Sequence, residues 1–174
     1  VLDAPISEDA MAGVAIGAAI EGARPVLEMQ FADFSSVAFN QIINQAAKIR
    51  FMFGQPVPLV IRATSGVALG GAHHSNALES LFAHTAGLSL AVPSRPWDVK
   101  GLIKTALRTP DPVVFLMHKK LSGVRGEIDP ANNLIPFGKA NSLRSGKDCA
   151  IITYGYTTVT ALKAAQDLEK SGTD

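Results

Sequence analysis

The sequence predicts an α/β fold in which helices flank a mostly parallel sheet. Short runs of aliphatic and β-branched residues alternate along the chain with segments of helical periodicity, an order that is typical of βαβ units. Hydrophobic residues make up 47% of the 174 residues, a share that supports a packed core and argues against disorder. A chain of this length forms one domain, or one domain and part of a second.

The first half of the chain contains three predicted helices and three predicted strands. Ser7 is a candidate N-cap for a helix that continues to about Glu21, and Ser35 is a candidate N-cap for a second helix. Ser75 can start a third helix that ends near Gly87. The buried stripe of the second helix is predicted at Phe39, Ile42, Ile43 and Ala46. The strands are predicted at residues 1–2, 26–29 and 58–62.

The second half continues this alternation and then changes character. Residues 119–136 are punctuated by Gly, Pro, Asp and Asn without a clean period, which predicts a linker. We therefore expect a first domain at residues 1–118 and the beginning of a C-terminal domain at residues 137–174. Because the chain opens without Met, we expect it to be a fragment truncated at both ends. The other strands are predicted at residues 88–92, 112–116 and 149–154, and the other helices at residues 94–108 and 157–170.

Charge, hydropathy and cysteine content argue against several classes of protein. Sixteen basic against fifteen acidic residues give a net charge of +1, so electrostatics provides no case for binding nucleic acid or an anionic membrane. The longest apolar run extends from Ala10 to Ile20 and is shorter than the roughly 20 residues that span a bilayer. A lone cysteine, Cys149, excludes an internal disulfide and fits a reducing compartment.

A glycine-rich loop at Gly66–Ser75 joins a predicted strand to a predicted helix. Backbone N–H groups of such a loop can approach an anion, but the spacing matches neither a dinucleotide fingerprint nor a P-loop. The loop contains His73 and His74, for which a structural role and an acid–base role both stay open. Adjacent histidines rarely bind one metal ion, and no partner ligands stand nearby. His84 and His118 stand alone in the sequence, which favours structural roles for both.

The start of the first predicted helix allows two interpretations. Glu8 and Asp9 lie in its first turn, where the helix dipole stabilises a carboxylate by about 0.3–1 kcal/mol. Small residues cover most of the helix, which fits an ordinary buried helix and equally a helix enclosed between subunits. Phe34 is by default a core aromatic residue. Composition and spacing alone therefore lead only as far as an α/β domain.

A series of short motifs occurs in a fixed order along nearly the whole chain. The motifs are DAPISE at 3–8, GVAIGAA at 13–19, RPVLE at 24–28, DF at 33–34, QIINQAAK at 41–48, PLVIR at 58–62, HS at 74–75, PS at 93–94, KGL at 100–102 and DPV at 111–113. Together they resemble the β subunits of the pyruvate, branched-chain 2-oxo acid and acetoin dehydrogenase complexes. Their order and spacing carry the resemblance more than any single motif does.

The resemblance implies a thiamine-diphosphate-binding fold, with a pyrimidine-binding domain at residues 1–118 and the start of a transketolase C-terminal-like domain at residues 137–174. It implies an α2β2 heterotetramer that oxidatively decarboxylates a 2-oxo acid such as pyruvate, or cleaves acetoin. The acyl group would pass to a lipoyl-bearing acyltransferase core. Magnesium would be held mainly by the α partner, and the absence of a Gly-Asp-Gly segment from this sequence agrees with that. Such enzymes are expected in the bacterial cytoplasm or the mitochondrial matrix.

The resemblance also assigns roles to individual residues. Glu8 matches the glutamate that hydrogen-bonds a pyrimidine ring nitrogen and activates the cofactor. Phe34 matches the aromatic residue that packs on the pyrimidine, and Gln30 matches a nearby position of the same pocket. His74 matches a histidine of reductive acyl transfer to the lipoyl group, a step that needs a proton donor. A structural potassium ion is expected near Leu59, Ala106, Thr109 and Asp111.

The sequence departs from the family pattern at three positions. Met117 stands where relatives usually carry glutamate, Ser122 where an aromatic residue is common, and His73 where glutamine or tyrosine is frequent. These departures leave the substrate open. Two alternatives also stay open: a pyrimidine domain of the transketolase or deoxyxylulose-phosphate synthase type, and a non-catalytic β-like subunit with a role in assembly.

Overall fold

The computed structural model describes residues 1–67, 71–128, 131 and 134–174. Within these ranges, four strands form one parallel sheet in the order β1-β2-β4-β3. The predicted α/β fold with a mostly parallel sheet is therefore confirmed. The strands are β1 (Val26–Phe31), β2 (Val60–Ser65), β3 (Ser89–Ala91) and β4 (Val113–His118), and the α-helices are α1 (Glu8–Ile20), α2 (Ala47–Phe53), α3 (Glu79–Ala83), α4 (Pro96–Ala106) and α5 (Thr157–Lys170).

The central strands are buried because both faces of the sheet are covered. Residues 113–116 of β4 are all buried, as expected for a parallel strand with structure packed on each side. On one face, α1 packs against Leu27 and Met29 of β1. On the other face, α4 covers a smaller cluster that includes Val60 and Phe115. These two apolar layers fix the orientation of the sheet between its helices.

The register of the sheet places the ends of three strands side by side. Val60 of β2 pairs with Val26 of β1 and with Val113 of β4. Because neighbouring parallel strands start level, the residues that follow Phe31, Ser65 and His118 emerge at the same edge. We call this edge of the sheet the carboxyl edge. In open parallel sheets, it is the edge where ligands bind.

Helix α1 runs antiparallel to β1 and returns the chain to the amino end of the sheet. The carbonyl of Ile20 at its last residue accepts a hydrogen bond from Gln55 Nε2 at 3.2 Å, and residues 21–25 lead directly into β1. The first turn of α1, which carries Glu8, therefore lies at the carboxyl edge. The inner side of the helix is buried, whereas Val14 on its outer side is 74% exposed.

The second predicted helix is present as three consecutive segments. A 3₁₀ turn covers Ala32–Ser36, a π-helical segment covers Asn40–Ala46, and α2 follows. Ser35 was expected to cap this helix, and that was wrong: its buried hydroxyl donates to the carbonyl of Ala32 within the turn. The predicted stripe is confirmed, because Ile42 and Ala46 are buried and Phe39 and Ile43 pack against the same core.

The third predicted helix is much shorter than expected. The segment from Ser75 to Gly87 contains only α3, and a 3₁₀ turn at Ala72–His74 precedes it. Ser75 caps no helix, because its hydroxyl donates to the carbonyl of Gly71 at 2.8 Å. Local polar bonds of this kind compete with helix formation. Residues 68–70 of the glycine-rich loop, and residues 129–130 and 132–133 of the predicted linker, lie outside the described residues.

Two predicted strands are not formed among the described residues. Residues 1–2 and 149–154 join no sheet, and Leu2 and Ile152 are each 96% exposed. A strand needs a neighbour for its backbone hydrogen bonds, and the described part of the chain supplies none at either place. The helix predicted at residues 157–170 is confirmed as α5. Within the described ranges, no helix combines the length and apolar character that a membrane crossing requires.

Candidate functional site

Aromatic, histidine and lysine side chains that could bind a ligand or take part in catalysis lie together at the carboxyl edge. Strand β1 leads into Phe31 and the 3₁₀ turn with Phe34, and strand β2 leads into the glycine-rich loop. Strand β4 ends at His118 and continues into Lys119 and Lys120. The topology therefore brings together residues that are far apart in the sequence, in a position typical of parallel α/β sites.

The ring of His74 lies among three other rings. It stacks on Phe31, with centroids 4.7 Å apart and planes inclined by 24°. It meets Phe34 edge to face at 5.4 Å and 82°, and it lies tilted against His73 at 4.1 Å. Of the residues predicted for the site, Phe34 and His74 are thus in direct contact. Aromatic contacts of this geometry restrict how the ring of His74 can turn.

One ring nitrogen of His74 lacks a partner. Nδ1 is buried and forms no hydrogen bond with another described residue. The ammonium group of Lys119 donates to the backbone carbonyl of His74 and lies 4.5 Å from the ring centroid of Phe31. The cation–π contact and the hydrogen bond together anchor the loop beside β4.

Asp33 fixes the other side of the same loop. Its Oδ1 accepts hydrogen bonds from the side-chain amide of Asn76 at 2.5 Å and from the backbone N–H of Asn76 at 3.3 Å. The carbonyl of Asn76 accepts a hydrogen bond from the N–H of Gly66 at 3.0 Å. The second carboxylate oxygen, Oδ2, is buried and has no partner in the described part of the chain. A half-buried carboxylate with one unpaired oxygen is costly, which marks the position as more than a surface acid.

Glu8 lies at the carboxyl edge, in the first turn of α1 next to the exposed Asp9. Its side chain is half-buried, and among the described residues it forms neither an ion pair nor a hydrogen bond. The structure shows no direct contact of Glu8 with Phe34 or His74 within the described ranges.

Gln30 occupies a bulge near the end of β1. The register of β1 against β2 shifts between Met29 and Phe31, and the carbonyl of Gln30 accepts a hydrogen bond from Thr64 Oγ1 at 2.6 Å. Its side chain is exposed, on the face opposite the buried Met29. The structure therefore places Gln30 near the carboxyl edge but does not bring its side chain against Phe34.

A second polar cluster at the same edge was missed by the sequence analysis. His118 stacks on Tyr156, which immediately precedes α5, with centroids 5.0 Å apart and planes inclined by 22°. Its Nδ1 accepts a hydrogen bond from the N–H of Lys120 at 3.2 Å. Beside it, the buried Ser65 donates to Glu79 at 2.8 Å. The position of His118 directly after a buried strand was the signal that could have identified the cluster.

Electrostatics keeps the imidazole of His118 neutral more readily than in free solution. Burial lowers the pKa of His118 below its usual 6.5, and the charges of Lys120 and Lys119 act in the same direction. The carboxylate of Glu79 opposes this shift. A neutral imidazole next to two ammonium groups can accept a hydrogen bond, as it does from Lys120.

The residues predicted to bind potassium surround the turn that leads into β4. The N–H of Val113 donates to the carbonyl of Leu59 at 2.8 Å, which brings this turn against β2. The guanidinium of Arg24 donates to the carbonyl of Thr109 at 3.2 Å, and the carboxylate of Asp111 pairs with Arg50. Ala106 is the last residue of α4. The carbonyl of Thr109 thus already has a cationic partner, and potassium binding stays a prediction.

The described ranges contain no cluster of metal-binding side chains. Within the described ranges, no three His, Cys, Asp or Glu side chains come close enough to hold a metal ion. A cleft of about 690 Å³ lies between α4 and the C-terminal segment, bordered by Ser94, Arg95 and Tyr154. None of Glu8, Phe34 and His74 lines this cleft. The residues predicted for catalysis therefore lie outside this cleft.

Two family models match the chain. Residues 1–124 match the family model described as transketolase, pyrimidine binding domain. The chain belongs to the transketolase pyrimidine-binding domain family. Residues 138–174 of this family member match the model of the transketolase C-terminal domain. The family depends on thiamine diphosphate, in agreement with the resemblance that the motifs indicated.

Three individual relatives are similar to nearly the whole chain. The chain is 50% identical to the acetoin:2,6-dichlorophenolindophenol oxidoreductase subunit beta of Cupriavidus necator, over 98% of this chain and 52% of that protein. It is 47% identical to the 2-oxoisovalerate dehydrogenase subunit beta of Bacillus subtilis, over 99% and 54% of the two chains. It is 41% identical to the pyruvate dehydrogenase E1 component subunit beta of Staphylococcus aureus, over 99% and 54%. This pyrimidine-binding family member therefore spans about half the length of these relatives.

A solved structure agrees with the fold. A split-gene transketolase, described as an inactive β4 tetramer, superposes with a TM-score of 0.81 and 28% identity. The match covers 97% of this chain and 52% of that one. The similarity therefore extends through both the pyrimidine-binding part and the C-terminal segment.

Proposed function

We propose that this chain supplies the β-type, pyrimidine-binding half of a thiamine-diphosphate-dependent dehydrogenase acting on a 2-oxo acid or acetoin. The observation that carries the proposal is the contact of Phe34 with His74 at the edge to which α1 brings Glu8. The relatives at 41–50% identity support the same class. Glu8, Phe34 and His74 are the residues to which we assign the site.

The geometry around Phe34 fits a planar ring. Phe31 and His74 both meet Phe34 at steep angles, 69° and 82°, so neither ring lies parallel on its face. We assign a face of Phe34 to stacking with the aminopyrimidine. Glu8 forms no hydrogen bond or ion pair with another described residue, so its carboxylate can share a proton with a pyrimidine ring nitrogen. When bound, thiamine diphosphate supplies a cationic thiazolium ring that takes up the electron pair released by loss of CO₂.

We assign His74 to the transfer of the acyl group. Opening a lipoyl disulfide requires a proton on the departing sulfur, and imidazole is suited to provide it near neutral pH. We assign the proton donation to Nε2, because Nδ1 is buried. The contacts with Phe31 and Phe34 hold the ring at the carboxyl edge.

The proposal includes partners and metal ions. An α-type subunit would complete the cofactor site in an α2β2 heterotetramer and hold magnesium with the diphosphate. A lipoyl-bearing acyltransferase would accept the acyl group. Potassium would bind at the turn between α4 and β4, close to the carbonyl of Leu59, which accepts a hydrogen bond from the N–H of Val113. We also propose that the pyrimidine-binding domain ends at residue 118 and that residues 119–136 link it to the C-terminal domain.

A transketolase-type activity is the second candidate, and the similarity to the split-gene transketolase favours it. The two candidates differ in their acceptor, because a transketolase passes a two-carbon unit to an aldose and needs no lipoyl group. Assays with pyruvate, branched 2-oxo acids, acetoin and ketose phosphates separate them. The higher identity to the dehydrogenase subunits supports the first candidate.

The test of the proposed function is the Glu8→Gln variant, assembled with its α-type partner. Glutamine keeps the shape of the side chain but cannot share a proton in the same way, so we expect decarboxylation to fall by about 100-fold or more. Asp9→Asn is the matched control, because Asp9 shares the first turn of α1 and its dipole interaction. Near-normal turnover in Glu8→Gln, or an equal loss in both variants, would contradict the role of Glu8.

A further inference from the structure

We propose that Asp33 is a positioning residue that holds His74 in place through Asn76. The inference rests on the proposed function, because it concerns the histidine that we assign to acyl transfer. It adds a residue to which the sequence analysis gave no role. The observation behind it is the pair of hydrogen bonds from Asn76 to one carboxylate oxygen of Asp33.

His74 depends on tertiary contacts for its position. The loop at residues 71–76 contains a single 3₁₀ turn, and its internal bonds are short-range, such as that from Ser75 to Gly71. A loop of this kind does not fix a side chain by itself. The ring contacts with Phe31 and Phe34 are therefore maintained only while the backbone of the loop stays near β1.

Two contacts from the segments after different strands hold the loop, one at His74 and one at Asn76. Lys119 donates to the carbonyl of His74 itself, from the segment after β4. Asp33 holds Asn76, two residues farther along, from the segment after β1. Asp33 also directly precedes Phe34. One short segment thus provides both the ring that contacts His74 and the carboxylate that fixes its loop.

The choice of aspartate indicates a specific pairing. The Oδ1 atom accepts both hydrogen bonds from Asn76, and Oδ2 is left buried and without a partner in the described part of the chain. Burying an unpaired carboxylate oxygen is unfavourable, so ordinary packing gives no reason for it. A strong charge-assisted bond to the amide of Asn76 accounts for the carboxylate.

The consequence for function is one of geometry. A proton donor must lie within hydrogen-bond reach of the group it protonates, and a displacement of about 1 Å can lower a rate by about 100-fold. Loss of the hydrogen bond between Asp33 and Asn76 should therefore impair transfer of the acyl group to the lipoyl group of the acyltransferase. It should leave decarboxylation with an artificial electron acceptor nearly unchanged, because Glu8 and Phe34 stay in place.

The experiment exchanges the two partners of the hydrogen bond. Asn76→Asp places two carboxylates against each other, and their repulsion should move the loop at residues 71–76 away from Asp33. The double variant Asp33→Asn/Asn76→Asp restores an amide facing a carboxylate, with donor and acceptor exchanged. Asn44→Asp is the control for the added charge, since Asn44 is exposed and its side-chain amide donates to the neighbouring Asn40.

The first readout compares two activities of the enzyme assembled with its α-type partner. We expect Asn76→Asp to lower lipoyl acylation by about 10- to 100-fold and to change artificial-acceptor reduction by less than about 3-fold. The double variant should recover most of the acylation rate. Equal loss of both activities, or no recovery in the double variant, would overturn the positioning role.

The second readout follows the ring of His74 directly in the full chain by NMR. Stacking on Phe31 shifts the imidazole protons upfield, and the shift should disappear in Asn76→Asp and return in the double variant. Unchanged imidazole shifts in Asn76→Asp would overturn the proposal. If Asn76→Asp does not fold, Asp33→Ala serves in both measurements with the same expectations.

His74→Ala separates this inference from the proposed function. If that variant acylates the lipoyl group normally, the acyl-transfer role of His74 fails, and the NMR shifts still decide whether Asp33 positions the ring. If His74→Ala is impaired and Asn76→Asp is not, the role of Asp33 fails while that of His74 stands.

Discussion

His118 at the end of β4 stacks on Tyr156, whose ring centroid lies 5.0 Å from that of the imidazole. The ammonium group of Lys120 lies 5.0 Å from the same tyrosine ring. Tyr156 immediately precedes α5, so these contacts attach the C-terminal segment to the carboxyl edge. The junction between the two parts of the chain therefore lies beside the candidate site.

The charge of His118 makes this junction sensitive to pH. Burial, Lys120 and Lys119 lower the pKa of His118 in the folded chain, while Glu79 opposes them. Below about pH 6.5 the unfolded chain binds a proton that the folded chain still excludes, so protons favour unfolding. We expect the free energy of unfolding to fall as the pH drops from 6.5 towards the folded pKa. Urea denaturation at pH 7.5, 6.5 and 5.5 measures this dependence.

A pair of variants assigns the pH dependence to one group. His118→Gln should flatten the decline in stability between pH 6.5 and 5.5, because glutamine does not titrate. His84→Gln is the control, since His84 is exposed and lies after α3. An unchanged decline in His118→Gln, or the same flattening in both variants, would show that other groups control the transition.

Gly66 is constrained by its backbone and by the ring of His118. Its φ is +82°, and a Cβ atom there would lie 2.2 Å from His118 Nε2. A left-handed conformation costs a non-glycine residue about 1–2 kcal/mol, and steric overlap adds about 1–3 kcal/mol. We therefore expect Gly66→Ala to lower the free energy of unfolding by about 2–5 kcal/mol in urea denaturation.

Gly22 separates the two contributions at Gly66. It also has a positive φ, +93°, but a Cβ atom there would meet nothing within 4 Å. Gly22→Ala should therefore show the conformational cost alone, about 1–2 kcal/mol. Gly66→Ala should cost more than Gly22→Ala in the parent chain. This excess should disappear when Gly66→Ala is measured against a His118→Ala background. Equal losses in the two glycine variants would refute the steric contribution.

The fold could be predicted from the sequence because the relevant signals are local. Alternating strand and helix patterns depend on nearby residues, and α5 begins and ends at the predicted residues. Pairing of strands is not local, which is why residues 149–154 were predicted as a strand and are unpaired in the described chain. The hydrogen bond of Ser35 to Ala32 likewise replaced an expected helix cap with a tighter turn.

The site could be predicted only in part. Local physics left Glu8 as a carboxylate at a helix terminus, and the ordered motifs supplied its proposed role. The contact of Phe34 with His74 needs the parallel register of β1 and β2, which no spacing in the sequence shows. His118 was interpreted as a lone histidine because its partners, Glu79 and Tyr156, are distant in the sequence.

Phe34 provides a test of cofactor affinity that is independent of proton transfer. Neither of its two ring neighbours lies parallel to it, and we assign its face to stacking with the aminopyrimidine. Phe34→Leu keeps an apolar side chain but removes the aromatic face, a loss of about 0.5–1.5 kcal/mol. We expect the thiamine diphosphate concentration for half-maximal activity of the assembled enzyme to rise by about 2- to 12-fold.

Phe51→Leu is the matched control, because Phe51 in α2 is 93% exposed and the same substitution there removes an aromatic ring that faces solvent. Its half-saturating cofactor concentration should equal that of the parent enzyme. The maximal rate of Phe34→Leu at saturating cofactor should change by less than the affinity does, since Glu8 and His74 are retained. A normal half-saturating concentration in Phe34→Leu would mean that its ring packs within the protein and does not meet the cofactor.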